Sequence, residues 1–142
     1  LGFALVGCGS GGVDSATITA ISEDPSNPAY IDDRNFVDDS RAIGFYTDGS
    51  VVGPSRFPDV GPGFVKIFRL RNRGFGTATL IRTVQLAAAN WRAEFPTGDR
   101  LQIGDSSDAN GGYLSGHGSH QNGLDLDAAY LNNQRVERDP NT

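Results

Sequence analysis

Both histidines of the 142-residue chain, His117 and His120, fall in the stretch S-G-H-G-S-H-Q-N-G-L-D-L-D at residues 115–127, which closes on Asp125 and Asp127. Imidazole nitrogen and carboxylate oxygen are ordinary zinc ligands, and a catalytic zinc keeps three protein ligands with a water in the fourth position. His120 and Asp127, with six residues between them, supply two of those three. Zinc held this way lowers the pKa of its bound water toward neutrality and polarises a carbonyl, which is the chemistry of hydrolysis. The same residues admit a plainer reading, a loop whose polar side chains only satisfy backbone groups. A Ser-His-Asp triad of Ser119, His120 and Asp127 is disfavoured. Neighbours in an extended chain point apart, so Ser119 and His120 do not easily share a proton.

These side chains need elements to hold them. Leu124 and Leu126 alternate with Asp125 and Asp127, so a strand here turns both leucines to a core and both carboxylates to the opposite face. Gly116, Gly118 and Gly123 make the approach a loop that brings two imidazoles over the polar edge. Upstream, residues 42–47 (A-I-G-F-Y-T) read as a strand closed by an Asp48-Gly49 turn. Residues 64–70 (F-V-K-I-F-R-L) are rich in β-branched and aromatic side chains and read as a second strand. Residues 100–104 read as a short strand leading into a polar loop at 105–112. Between them, residues 77–95 are the one convincing helix, with Leu80, Val84, Ala87, Ala88, Trp91 and Phe95 forming an apolar stripe. Thr77 or Thr79 caps its start, Pro96 with Gly98 ends it, and Trp91 reads as its packing anchor. The expected class is α+β, an antiparallel sheet with a packed helix and the site in loops at the sheet's edge. Arg69, Arg71 and Arg73, just ahead of the helix, are candidates for a basic group that stabilises an oxyanion, although surface solvation explains them as well.

Composition narrows the class. The length suits one domain with a real core. Only 37% of residues are hydrophobic, and 19 glycines with 7 prolines favour loops and turns over a helical bundle. A net charge of −5 argues against a nucleic-acid partner. No run of apolar residues is long enough to span a bilayer. The acidic cluster Asp32, Asp33, Asp38 and Asp39 lacks the glycine-containing spacing of a calcium loop and reads as a solvated surface. The sequence has no Met, so Leu1 is not expected to be a translational start. Residues 1–8, L-G-F-A-L-V-G-C, resemble the end of a bacterial lipoprotein signal segment in which Cys8 is acylated. A short buried strand with a free Cys is the alternative. Residues 9–39 then form a polar tether, and residues 40–142 the domain. A single Cys allows neither an internal disulfide nor a cysteine-based zinc knuckle.

The string S-H-Q-N-G-L-D-L-D with its preceding S-G-H-G closely resembles the signature of the penicillin-insensitive murein endopeptidases. These are zinc peptidases related to D-alanyl-D-alanine dipeptidases, lysostaphin and the hedgehog domain. The Ser-His-x-x-Gly-x-x-x-Asp core is matched by Ser119, His120, Gly123 and Asp127, and the additional upstream histidine by His117. A looser likeness runs upstream through the helix and G-P-G-F-V-K-I-F-R-L-R-N-R, covering about two thirds of the chain. The resemblance implies a hedgehog/D-Ala-D-Ala peptidase-like fold with Zn2+ at His117, His120 and Asp127. It leaves Asp125 to accept the other ring N–H of a ligating histidine. It further implies a zinc-dependent murein DD-endopeptidase that hydrolyses the peptide cross-links of peptidoglycan, with peptide stems as substrate. The place of action is the periplasm or cell envelope, with a lipid anchor at Cys8 as the membrane contact. The family's downstream His-x-His is not in this sequence. The 142 residues are therefore expected to be the N-terminal part of the peptidase domain and inactive alone. Two other readings stand beside this one. The first is a cell-wall-binding relative with a degenerate metal site. The second is a D-Ala-D-Ala dipeptidase or carboxypeptidase, against which His117 favours the endopeptidase branch.

Overall fold

The structure is a computed structural model that describes residues 37–130 and 137–141. Cys8, the rest of segment 1–8, residues 9–36 of the tether, and Asp32 and Asp33 lie outside the described residues.

The first element is a hairpin of β1 (Arg41–Phe45) and β2 (Asp48–Val52), paired antiparallel with Phe45 opposite Asp48. Its two-residue turn is Tyr46-Thr47, so the Asp48-Gly49 pair opens β2 instead of forming the turn. The glycines serve close approach here. A Cβ on Gly49 would meet the carbonyl oxygen of Phe45 at 2.4 Å, and Gly44 has φ +72°. Ile43, Phe45, Tyr46 and Val52 of this ribbon are exposed.

The larger sheet runs β4 (Val60–Gly61), β5 (Phe64–Lys66), β7 (Leu101–Ile103) and β8 (Ala128–Ala129). A separate two-stranded patch joins β3 (Ser55–Arg56) to β6 (Phe75–Gly76). The outer pairs of the larger sheet are antiparallel, as expected, but β5 and β7 are parallel. A parallel pair requires a long crossover, and helix α1 (Ala78–Glu94) lies in it. The molecule is thus a small mixed α/β arrangement, with antiparallel pairs around one parallel pair and a single helix among the described residues. None of the described helices is long and apolar enough to cross a membrane.

Helix α1 starts at Thr77, whose hydroxyl accepts from the backbone N–H of Leu80 at 3.2 Å. Two more of its free N-terminal N–H groups are met from the preceding segment. Ala78 donates to Ser40 Oγ and Thr79 to Asp38 Oδ2, each at 2.9 Å. The buried stripe is Ile81, Ala88 and Ala89 with Val84 beside it, so it is turned from the expected one. Ala87 and Phe95 face solvent. The turn at Gly63 lies against this face. A Cβ there would lie 2.0 Å from the carbonyl oxygen of Ala88, so a bare glycine lets the β4–β5 turn touch the helix backbone. Small alanines face the sheet at that close approach. Trp91 is half-buried, donates from Nε1 to Asp99 O at 2.9 Å, and stacks at a tilt on Phe95.

The core gathers Phe57, Phe64, Ile81, Ala88 and Ile103, with Val84, Leu101 and Leu126 against it. Phe57 and Phe64 meet edge to face, ring centroids 6.4 Å apart. The strand expected over 64–70 ends at Lys66. Phe68 takes a left-handed φ of 56° and leads into a single 3-10 turn, Arg69–Arg71. The strand expected over 124–127 does not form, and β8 begins only at Ala128. Leu126 packs on the core but Leu124 is exposed, because without strand pairing the two leucines need not share a face.

Candidate metal centre

The histidine loop is pinned from three sides. The backbone N–H of Gln121 donates to Tyr46 O at 3.0 Å, Thr77 N–H to Gly123 O at 2.8 Å, and Gly112 N–H to Gln121 O at 2.9 Å. The side chain of Asn122 also reaches Gly44 O at 3.3 Å. The hairpin, the start of α1 and the 105–112 segment therefore shape the loop together. Asp127 is fixed through its backbone, which accepts from Gly104 N–H and donates to Asp105 O. This places it beside the end of β7.

His117, His120 and Asp127 converge, each offering one ligand atom, with all these atoms within 4.8 Å of one another. His120 is buried and has a left-handed φ of 71°. Its Nδ1 lies 2.7 Å from Asp125 Oδ2, and its backbone N–H donates to the same oxygen at 3.2 Å. That leaves Nε2 toward Asp127, 3.2 Å from Oδ1. His117 is arranged the same way round a different carboxylate. Its Nε2 lies 3.2 Å from Asp105 Oδ2, while Nδ1 faces Asp127 Oδ2 at 3.6 Å. Two ligand atoms bound about 2.1 Å from a tetrahedral ion sit about 3.4 Å apart. Both imidazole–carboxylate separations are close to that value. Each ring also has its other nitrogen held by a carboxylate, as metal-bound histidines do. The residues present fit a zinc ion. The Asp127 side chain is 54% exposed, so the cluster opens to solvent.

The Ser119 hydroxyl lies 3.5 Å from His120 Nδ1. The chain is not extended at His120, so Ser119 does come near the ring. Asp125 occupies that nitrogen at a much shorter distance, and this, not divergence of neighbours, is what leaves no Ser-His pair.

Of the three arginines, Arg69 donates to backbone carbonyls of Lys66 and Asp59. Arg71 and Arg73 instead reach Asp105 Oδ2 at 3.0 and 3.7 Å. Arg73 also donates to Ser115 O, and the Arg71 guanidinium lies 4.0 Å over the Phe68 ring. Asp105, in the sequence only the start of a polar loop, is a site residue. No local pattern marks it: it lies two residues beyond β7, and only the parallel pairing of β7 reveals that this is the carboxyl end of a parallel strand, where sites gather.

Two imidazoles and one carboxylate, each imidazole backed by a further carboxylate, make a candidate metal centre. The particular family follows from comparison. Residues 42–141 match the family model described as penicillin-insensitive murein endopeptidase, and the chain belongs to that family. It is 37% identical over 87 residues to the Haemophilus influenzae protein named penicillin-insensitive murein endopeptidase. The match covers 60% of this chain and 29% of that relative, so the chain spans less than a third of the relative's length.

Proposed function

We propose that the protein is a zinc metallopeptidase, an endopeptidase that hydrolyses the peptide cross-links of peptidoglycan. One observation carries this reading: in a chain of this family, His117, His120 and Asp127 each bring a ligand atom within 4.8 Å of the others, with His117 Nδ1 3.6 Å and His120 Nε2 3.2 Å from the Asp127 carboxylate. Zinc bound there would supply Lewis-acid polarisation of the scissile carbonyl and a water acidic enough to attack it. The chain's own residues prepare the place. Asp125 holds the Nδ1 side of His120, and Asp127 stands at the open rim where a peptide can enter. Arg71 puts a positive charge near the ligands, suited to an oxygen that gains negative charge during the reaction. The arrangement of strands and helix is compatible with the hedgehog/D-Ala-D-Ala peptidase type of fold, which is part of this proposal.

The test uses the full-length protein and purified cross-linked peptidoglycan. Cleavage of cross-links should depend on zinc, stop with a chelator and return on adding zinc. His120→Ala and Asp127→Ala should each abolish metal uptake while the protein stays folded. Cleavage that survives complete removal of zinc would sink the reading.

The location is proposed on Cys8: acylation there would hold the enzyme at a membrane of the cell envelope, next to its substrate. Acyl chains contribute about 0.8 kcal/mol per buried CH2, so a multiply acylated Cys8 would stay bound. In fractionated cells, full-length Cys8→Ser should leave the membrane fraction; retention equal to the parent's would rule the anchor out.

A further inference from the structure

Asp105 is the most deeply buried charged side chain of the centre, 1% exposed, and its contacts meet on one oxygen. Oδ2 lies 3.0 Å from Arg71, 3.2 Å from His117 Nε2 and 3.7 Å from Arg73, whereas Oδ1 is buried with no hydrogen-bond partner among the described residues. Burying a carboxylate is costly unless it is paired. One arginine at 3.0 Å would already serve that end. The approach to His117 is a separate contact, and it falls on the ring nitrogen that faces away from Asp127. We propose that Asp105 is a positioning residue of the metal centre. By accepting from Nε2 it holds His117 in the tautomer whose Nδ1 lone pair faces Asp127, and the same oxygen keeps Arg71 and Arg73 beside that imidazole. The two histidines are thereby set by two different carboxylates, His120 by Asp125 within its own loop and His117 by Asp105 from the end of β7. The metal arm of this inference rests on the zinc reading; its tautomer arm does not.

If Asp105 served only to neutralise the arginines, its loss would lower stability and leave the His117 tautomer unchanged. The experiment therefore reads nitrogen chemical shifts of both imidazoles in metal-free full-length protein at mildly alkaline pH, and zinc affinity by chelator competition. In the parent, His117 should carry its proton on Nε2. Asp105→Ala should give mixed His117 tautomers and about 10–100-fold weaker zinc binding. Asp105→Asn, which keeps an acceptor oxygen, should hold the tautomer and lose less. In a His117→Ala background, Asp105→Ala should weaken zinc binding little further, because its effect runs through that ring. A parent His117 protonated on Nδ1, or fully additive losses in the double variant, would overturn the proposal. If Asp105→Ala does not fold, Asp105→Asn is carried through the same cycle, and full additivity there overturns it equally. A parent that binds no zinc defeats the zinc reading, and the tautomer measurement still decides the role of Asp105.

Discussion

His120 combines a left-handed backbone, uncommon outside glycine, with burial, and Asp125 accepts from both its N–H and its Nδ1. A non-glycine residue at φ 71° stays there only where its surroundings hold it. Asp125→Ala removes both bonds at once. The expected result is about 10–100-fold weaker zinc binding with the fold retained, measured by chelator competition; unchanged affinity would show that the clamp is incidental. Much of this was legible in the sequence, because His117, His120, Asp125 and Asp127 sit within eleven consecutive residues whose types and spacing speak for themselves. Asp105 was not. It lies 12 positions from His117 and reaches it only because β7 ends beside the loop, a fact of pairing that no local pattern carries.

At the scale of elements, the helix was legible as a segment but not as a face. Periodicity marks a stripe within about one turn, whereas which face is buried depends on tertiary contacts, here with Phe57, Phe64 and Ile103 and at the close approach of Gly63 to the Ala88 backbone. The parallel β5–β7 pair was similarly hidden, since each strand has only three residues and looks the same in either direction. The start of α1 depends on a residue outside it. The Ser40 and Thr79 hydroxyls bonded to Asp38 hold its carboxyl down to about 2 from an ordinary 3.8. A carboxyl depressed in the folded state adds stability that is complete above the ordinary value and is lost as pH falls through the folded one. Asp38→Ala should therefore cost about 0.5–1 kcal/mol near neutral pH, discounted because the group is exposed. The difference from the parent should vanish as pH falls from about 4 toward about 2, in urea unfolding followed by helix signal. A gap that persists at the acid end would mean the carboxylate is not the cause.

For the whole molecule, stability centres on the contact of Phe57 with Phe64, under α1 and beside Ile103. Phe64 is completely buried, so Phe64→Ala should cost about 3–5 kcal/mol and shift the urea midpoint accordingly. A loss under about 1 kcal/mol would place the core elsewhere. The β1–β2 ribbon has the opposite character. Among the described residues β1 pairs only with β2, and Ile43, Phe45 and Tyr46 are turned to solvent around that open edge. A free strand edge carrying apolar side chains is a template on which further chains can stack. The colloidal behaviour of this protein should therefore be governed by a ribbon that buries Val51 but leaves its other large apolar side chains in solvent. Phe45→Lys should raise the concentration at which light scattering first detects clusters and leave zinc uptake untouched. Clustering that begins at the parent's concentration would mean that molecules stick to one another through some other surface.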